Sequence, residues 1–162
     1  MKIESIATIK KELKHLSKDE LLELCLRLGK FKKENKAMLT YLLFLSENEN
    51  SYIESVKSTL DELFEEMNTN SYFFMKKTIR KILRQIRVYS KYSSEKSTEV
   101  ELLLYFCDRL STLKPSIFYN TTLTNLYERQ IESIRKKVSV LHEDLQFDYN
   151  EKLDELDEKY EE

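Results

Sequence analysis

Residues Thr121–Leu145 read TTLTNLYERQIESIRKKVSVLHEDL. Leu123, Tyr127, Ile131, Ile134, Val138, Leu141 and Leu145 follow one another at steps of three and four. That spacing lines one face of an α-helix. From Ser116 onward neither Gly nor Pro interrupts the chain, and after a shift in phase the pattern resumes at Tyr149, Leu153, Leu156 and Tyr160. Two readings fit: one helix of about 40 residues, ~60 Å long at 1.5 Å per residue, or two helices broken near His142.

The same period extends toward the N-terminus. Ile3, Ile6, Ile9, Leu13 and Leu16 predict a helix over about 3–15. Ser17 and Glu20 form a capping box that opens a second helix, with Leu21, Leu24, Cys25 and Leu28 inward and Gly29 as its C-cap. A third helix over about 32–46 is apolar nearly all round from Leu39 to Leu45, which predicts burial on several sides. Ser51 and Glu54 form a second capping box, opening a helix to Met67 that turns Ile53, Val56, Leu60, Leu63 and Phe64 inward. Helices over about 72–90 and 98–112 follow, the latter with an apolar second half, Leu102 to Cys107.

Composition points the same way. The chain of 162 residues holds one Gly, Gly29, and one Pro, Pro115, with 41% hydrophobic and 35% charged residues. Antiparallel sheets need many turn residues, and nucleotide-binding loops need clustered glycines. The fold class expected is all-α, with about seven to eight helices. Pro115 ends one helix and suits the start of the next. The longest apolar run, Leu102 to Cys107, is far short of the roughly 20 residues of a membrane span. The start, Met1-Lys2-Ile3-Glu4, lacks the apolar core of a signal peptide. The expectation is a cytoplasmic protein, in which the sequon Asn120-Thr121-Thr122 carries no weight. Cys25 and Cys107 lie within apolar helical stretches and are expected to be small buried hydrophobes.

Sliding the chain by 61 residues places Leu22 on Leu83, Lys30 on Lys91, Phe31 on Tyr92, Glu34 on Glu95 and Leu39 on Val100. Leu42-Leu43-Phe44 then falls on Leu103-Leu104-Tyr105. Any two amphipathic helices align by their apolar stripes, but this match includes polar identities. It predicts two tandem three-helix repeats, 17–67 and 71–140, each with a buried middle helix, stacked as a short HEAT/armadillo-like array. None of those families' local signatures is present. The alternative is an irregular antiparallel bundle. The expected organisation is a helical domain over 1–141 and an acidic C-terminal helical extension over 142–162.

Two charged features stand out. Between Ser71 and Ser94 there are seven basic residues and no acid: Lys76, Lys77, Arg80, Lys81, Arg84, Arg87 and Lys91. On a helix they share one broad face, with Met75, Ile79, Ile82, Ile86 and Tyr89 opposite, and they are the candidate binding face. Tyr72, Phe73, Phe74 and Tyr92 flank it and are placed to stack on bases. Such a face is either solvated, paired with acids of the same chain, or used to bind an acidic protein or a phosphate backbone. A membrane is the poorest fit, because the apolar face is needed for the core. From Glu143 to Glu162 ten acids accompany two lysines, and the helix before Met67 adds Asp61, Glu62, Glu65 and Glu66, so acids able to pair with the basic face are present in the chain itself. The apolar edge of the C-terminal segment, Leu145 to Tyr160, wants a partner, either the domain itself or a second copy in a homodimer.

Signals for chemistry are weak. Glu12 and His15 have the i, i+3 spacing of carboxylate-bridged metal sites, but that chemistry needs a second such pair and two more glutamates, and Ser139 stands three residues before His142. No cofactor, metal or catalytic residue is expected. The function expected is a non-enzymatic helical module that binds a protein partner; the alternative is a nucleic-acid-binding protein that grips the phosphate backbone through the helix at 76–91.

Overall fold

The computed structural model describes residues 1–161. It is all-α: eight α-helices and no strand among the described residues. The chain divides into two compact units, Met1–Phe44 and Leu45–Glu162.

The first unit holds α1 (Ile6–Leu13), α2 (Lys18–Phe31) and α3 (Lys33–Thr40). Ser17 caps α2 as its sequence predicts: its hydroxyl accepts from the Glu20 amide at 3.2 Å, and the Glu20 carboxylate accepts from the Ser17 amide at 2.7 Å. These bonds also hold the Glu20 carboxyl below its ordinary pKa. Gly29 is not the C-cap. It is buried inside α2, where a Cβ would stand 2.7 Å from Leu39 Cδ1. Its role is to let α3 approach α2, while α2 runs on to Phe31 and Asn35 Nδ2 donates to the Leu28 carbonyl at 2.8 Å. Because the obstructing atom is the end of a mobile side chain, Gly29→Ala is expected to change stability by less than about 1 kcal/mol. The helix-propensity gain offsets the Leu39 shift, and a thermal melt reads the balance.

Residues 39–45 depart further from expectation. Tyr41–Leu45 form a π-helical turn rather than the end of a long α-helix. Tyr41 is buried, but Leu43 is 70% and Phe44 77% exposed. An all-round apolar pattern predicts burial only where neighbouring helices exist on every side. Cys25 is likewise exposed.

The second unit is built around α6 (Lys96–Ser111). α4 (Glu49–Glu65), α5 (Tyr72–Ser90), α7 (Thr121–Val138) and α8 (Glu143–Glu161) each pack against it. The run expected to be buried is buried here: Leu102, Leu103, Leu104, Phe106 and Cys107 all lie in the core. The middle helix of the expected repeats is therefore buried in the second half but not in the first. α4 is capped by Asn48, whose Oδ1 accepts from the Ser51 amide at 3.0 Å. The Ser51–Glu54 pair lies one turn inside the helix, since Asn caps as well as Ser. The Lys114–Pro115 peptide is cis. A 3₁₀ turn, Ile117–Tyr119, then leads to Asn120, which caps α7 by accepting from the Leu123 amide at 3.2 Å. The long C-terminal pattern resolves into two helices, with α7 ending at Val138 and His142 Nδ1 accepting from the Asp144 amide at 3.3 Å at the start of α8.

Thr98, at 0% exposure, donates its hydroxyl to Glu49 Oε1, which also accepts from Ser93 Oγ at 2.5 Å. These bonds tie the start of α4 to the start of α6. Thr98→Val keeps the shape and removes the donor, so it is expected to cost about 2 kcal/mol, the worth of a bond to a charged group. Chemical denaturation would show it as a lower midpoint at unchanged slope.

Candidate anion-binding face on α5

Ser71 starts α5, its hydroxyl accepting from the Phe74 amide at 3.4 Å. From there the helix anchors itself by Met75, Ile79, Ile82, Leu83 and Ile86, all buried. At 100° per residue the seven basic residues occupy an arc of about 140° on the opposite side. Lys77, Arg80, Lys81, Arg84, Arg87 and Lys91 are exposed and Lys76 is half-buried. Among the described residues none of the seven enters an ion pair. From Lys76 to Lys91 the stripe runs about 22 Å along the axis.

The acidic segment does not cover this face. α8 packs on α6 and α7. Its own lysines fasten it there, Lys159 to Asp108 at 2.6 Å and Lys152 to Glu101 at 3.5 Å, and Asp157 pairs with Arg135 of α7. The partner for its apolar edge is the domain itself: Tyr149, Leu153 and Leu156 are buried, and Leu156 O accepts from Tyr127 Oη at 3.3 Å. Leu145 and Tyr160, at the ends of that edge, stay partly exposed, so a homodimer through the C-terminal helix would have only those ends to cover.

Of the four aromatic residues expected beside the stripe, two are free to meet a ligand. Phe73 is 71% exposed on the basic arc, and Phe74 stacks edge-on against it at 5.5 Å. Tyr72 instead donates to the Ser116 carbonyl at 2.8 Å, and Tyr92 is buried. The structure adds one residue that sequence reasoning missed. A cleft of about 390 Å³ between α5, α6 and α7 is lined by Arg87 and Lys91 on one side and Lys137 on the other. Its one acid, Glu99, is bound to Lys137 at 2.8 Å. The basic triplet Arg135-Lys136-Lys137 was visible in the sequence, but which of the three faces α5 is set by packing alone.

The groups named for chemistry lie apart. Glu12 and His15 are at the end of α1, and His142 caps α8. Among the described residues no three His, Cys, Asp or Glu side chains come together as metal ligands. Burial drives the Cys107 thiol and the Tyr127 and Tyr149 phenols upward in pKa, and each stays protonated. Tyr105 is pushed up to about 12 by burial and by Asp61, to which it donates at 2.5 Å. Every one of these shifts moves away from the neutral range that proton transfer uses. Asp61→Asn is expected to bring the Tyr105 pKa down part of the way toward 10, with burial holding the remainder. Ring-carbon NMR shifts across an alkaline titration would follow it.

No family model matches this chain, nor does any curated protein or solved structure. Within the described residues no helix is long and apolar enough to cross a membrane.

Proposed function

We propose that this protein is a non-enzymatic interaction module that takes an acidic protein partner on the α5 face. One observation carries the reading: seven cations on one helix face have no acid among them and no ion pair, while the chain's most acidic segment is held elsewhere. Concentrating like charge this way costs self-repulsion, which an anionic partner relieves. A protein partner is favoured over a polyanion because the stripe is short and the chain as a whole carries net charge −2. A local acidic patch can sit within a Debye length, about 8 Å, of the stripe. A long nucleic acid would extend past it over the rest of a chain whose net charge is −2. The location that goes with this reading is the cytoplasm, where an exposed free thiol such as Cys25 stays reduced.

A second reading, binding to nucleic acid, is supported by Phe73 and Phe74, which lie where bases would stack beside phosphate-bound cations. The double charge reversal Arg80→Glu/Arg84→Glu separates the two, because both side chains are exposed and neither supports the core. Capture from a lysate of the source cell is expected to recover a protein partner with the wild type. The variant should lose it by roughly tenfold or more. Labelled single- and double-stranded DNA and RNA are expected to show no specific change in anisotropy. Nucleic-acid binding that falls steeply with salt and disappears in the variant would replace the protein reading with the second one. A variant that changes neither assay would remove α5 from both.

A further inference from the structure

α2 carries a wider apolar surface than the rest of its unit covers. Leu21, Leu22, Leu24, Cys25, Leu26, Leu28, Gly29 and Phe31 sweep an arc of about 220°. One helix packed alongside covers roughly a 100° stripe. α3 supplies that one helix, and Gly29 against Leu39 marks where it lies. On the flank away from Gly29, Leu21, Leu24, Leu28 and Phe31 recur at steps of three, four and three, the spacing of a coiled-coil seam. Leu28 is 56% and Phe31 76% exposed.

We infer that this seam is a self-association surface, and that its occupant is α2 of a second copy, packed antiparallel about a two-fold axis. Area is the first argument. The exposed parts of the seam residues Leu24, Leu28 and Phe31 amount to roughly 350 Å². A standard interface buries about 800 Å² per partner, and about two-thirds of it is apolar in homodimers. The seam of α2 therefore supplies about two-thirds of the apolar surface such a dimer needs, and its polar flanks complete the contact.

Charge is the second argument. The acids of α2, Asp19, Glu20 and Glu23, lie in its first half, and its later bases, Arg27 and Lys30, lie in its second. The same order complements the helix dipole. In an antiparallel pair the acidic half of each copy faces the basic half of the other, and both junctions are satisfied by one symmetric contact. In a parallel pair, like halves would meet. The size of the unit is the third argument. A segment of some 40 residues without disulfide or metal rarely holds itself together, and association is a common remedy. A two-helix hairpin closing on its own copy makes a four-helix arrangement in which both remaining apolar flanks have neighbours.

The full-length chain carries its own probe. Cys25 is exposed on α2 beside the seam, and Cys107 is fully buried. A short bismaleimide linker should therefore join Cys25 to Cys25 of a second copy, giving a covalent dimer on a denaturing gel. Sedimentation velocity should show a concentration-dependent monomer–dimer equilibrium that saturates at two copies. Leu24→Glu/Leu28→Glu should shift the equilibrium toward monomer by at least tenfold and abolish the cross-link. Circular dichroism checks that α2 stays helical in this variant. Should it unfold, Phe31→Ser, at the exposed end of the seam, gives the same comparison with less disturbance. A wild-type chain that stays monomeric at every concentration, or assembles without limit, or dimerises without cross-linking at Cys25, would overturn the inference. A dimer that survives the seam substitutions with α2 still helical would overturn it as well.

Discussion

Ending the chain after Leu141 is expected to unfold residues 45–141, with loss of the cooperative thermal transition and collapse of amide chemical-shift dispersion. α8 looks expendable from its charge, but its inner edge is core. Tyr149, Leu153 and Leu156 are buried against α6 and α7. At about 1.5–3 kcal/mol for each fully buried side chain, removing them forfeits about 5–9 kcal/mol. A whole domain is typically stable by about 5–15 kcal/mol. Truncation also strips the cover from α6 and α7, including Tyr127, whose ring lies 6.2 Å from that of Tyr160. The ion pairs that pin α8 are more than a third exposed on at least one side and add little each. Leu153→Ala, a milder form of the same test, is expected to cost about 2–5 kcal/mol. A cooperative melt that persists in the truncated chain would show that α8 is merely laid on a finished core.

Phe106→Ala should be the most damaging single substitution. Phe106 is at 0% exposure on α6, the helix that touches every other α-helix of its unit. Its ring lies 6.2 Å from that of Phe64 on α4, over which the Arg109 guanidinium sits at 5.3 Å. The cavity left behind would lie at the centre of the helices packed on α6, where only partial relaxation is expected. The expected loss is about 3–5 kcal/mol, or roughly 10–20 °C in midpoint for a unit of this size. Phe106→Leu, which keeps most of the volume, should cost much less. A loss under about 1 kcal/mol from the alanine variant would mean that α6 does not organise the core as described.

Much of this was readable from residue order. Leu102 to Cys107 announced a central helix, and the Ser17–Glu20 box announced the start of α2. The seven cations from Lys76 to Lys91 announced a single charged face, because helical period alone decides which side chains share a side. Other features were not readable. Leu39–Leu45 has almost the same apolar pattern as Val100–Phe106 yet ends in a π turn that buries Tyr41 and leaves Leu42, Leu43 and Phe44 exposed. Ser51 and Glu54 match a capping box, yet Asn48 starts the helix one turn earlier.

The sequence by itself determined the fold class, the faces of the helices and the position of the basic stripe, all of them set by local period and charge order. Only the tertiary structure decided which of those faces would be covered. It laid the acidic α8 on α6 and α7 and left α5 open, brought Lys137 across the cleft from Arg87 and Lys91, and left the α2 seam in solvent. The reason is physical. Periodicity specifies which residues of a helix point the same way. Burial depends on which other helices arrive there, and that is settled by how each unit packs.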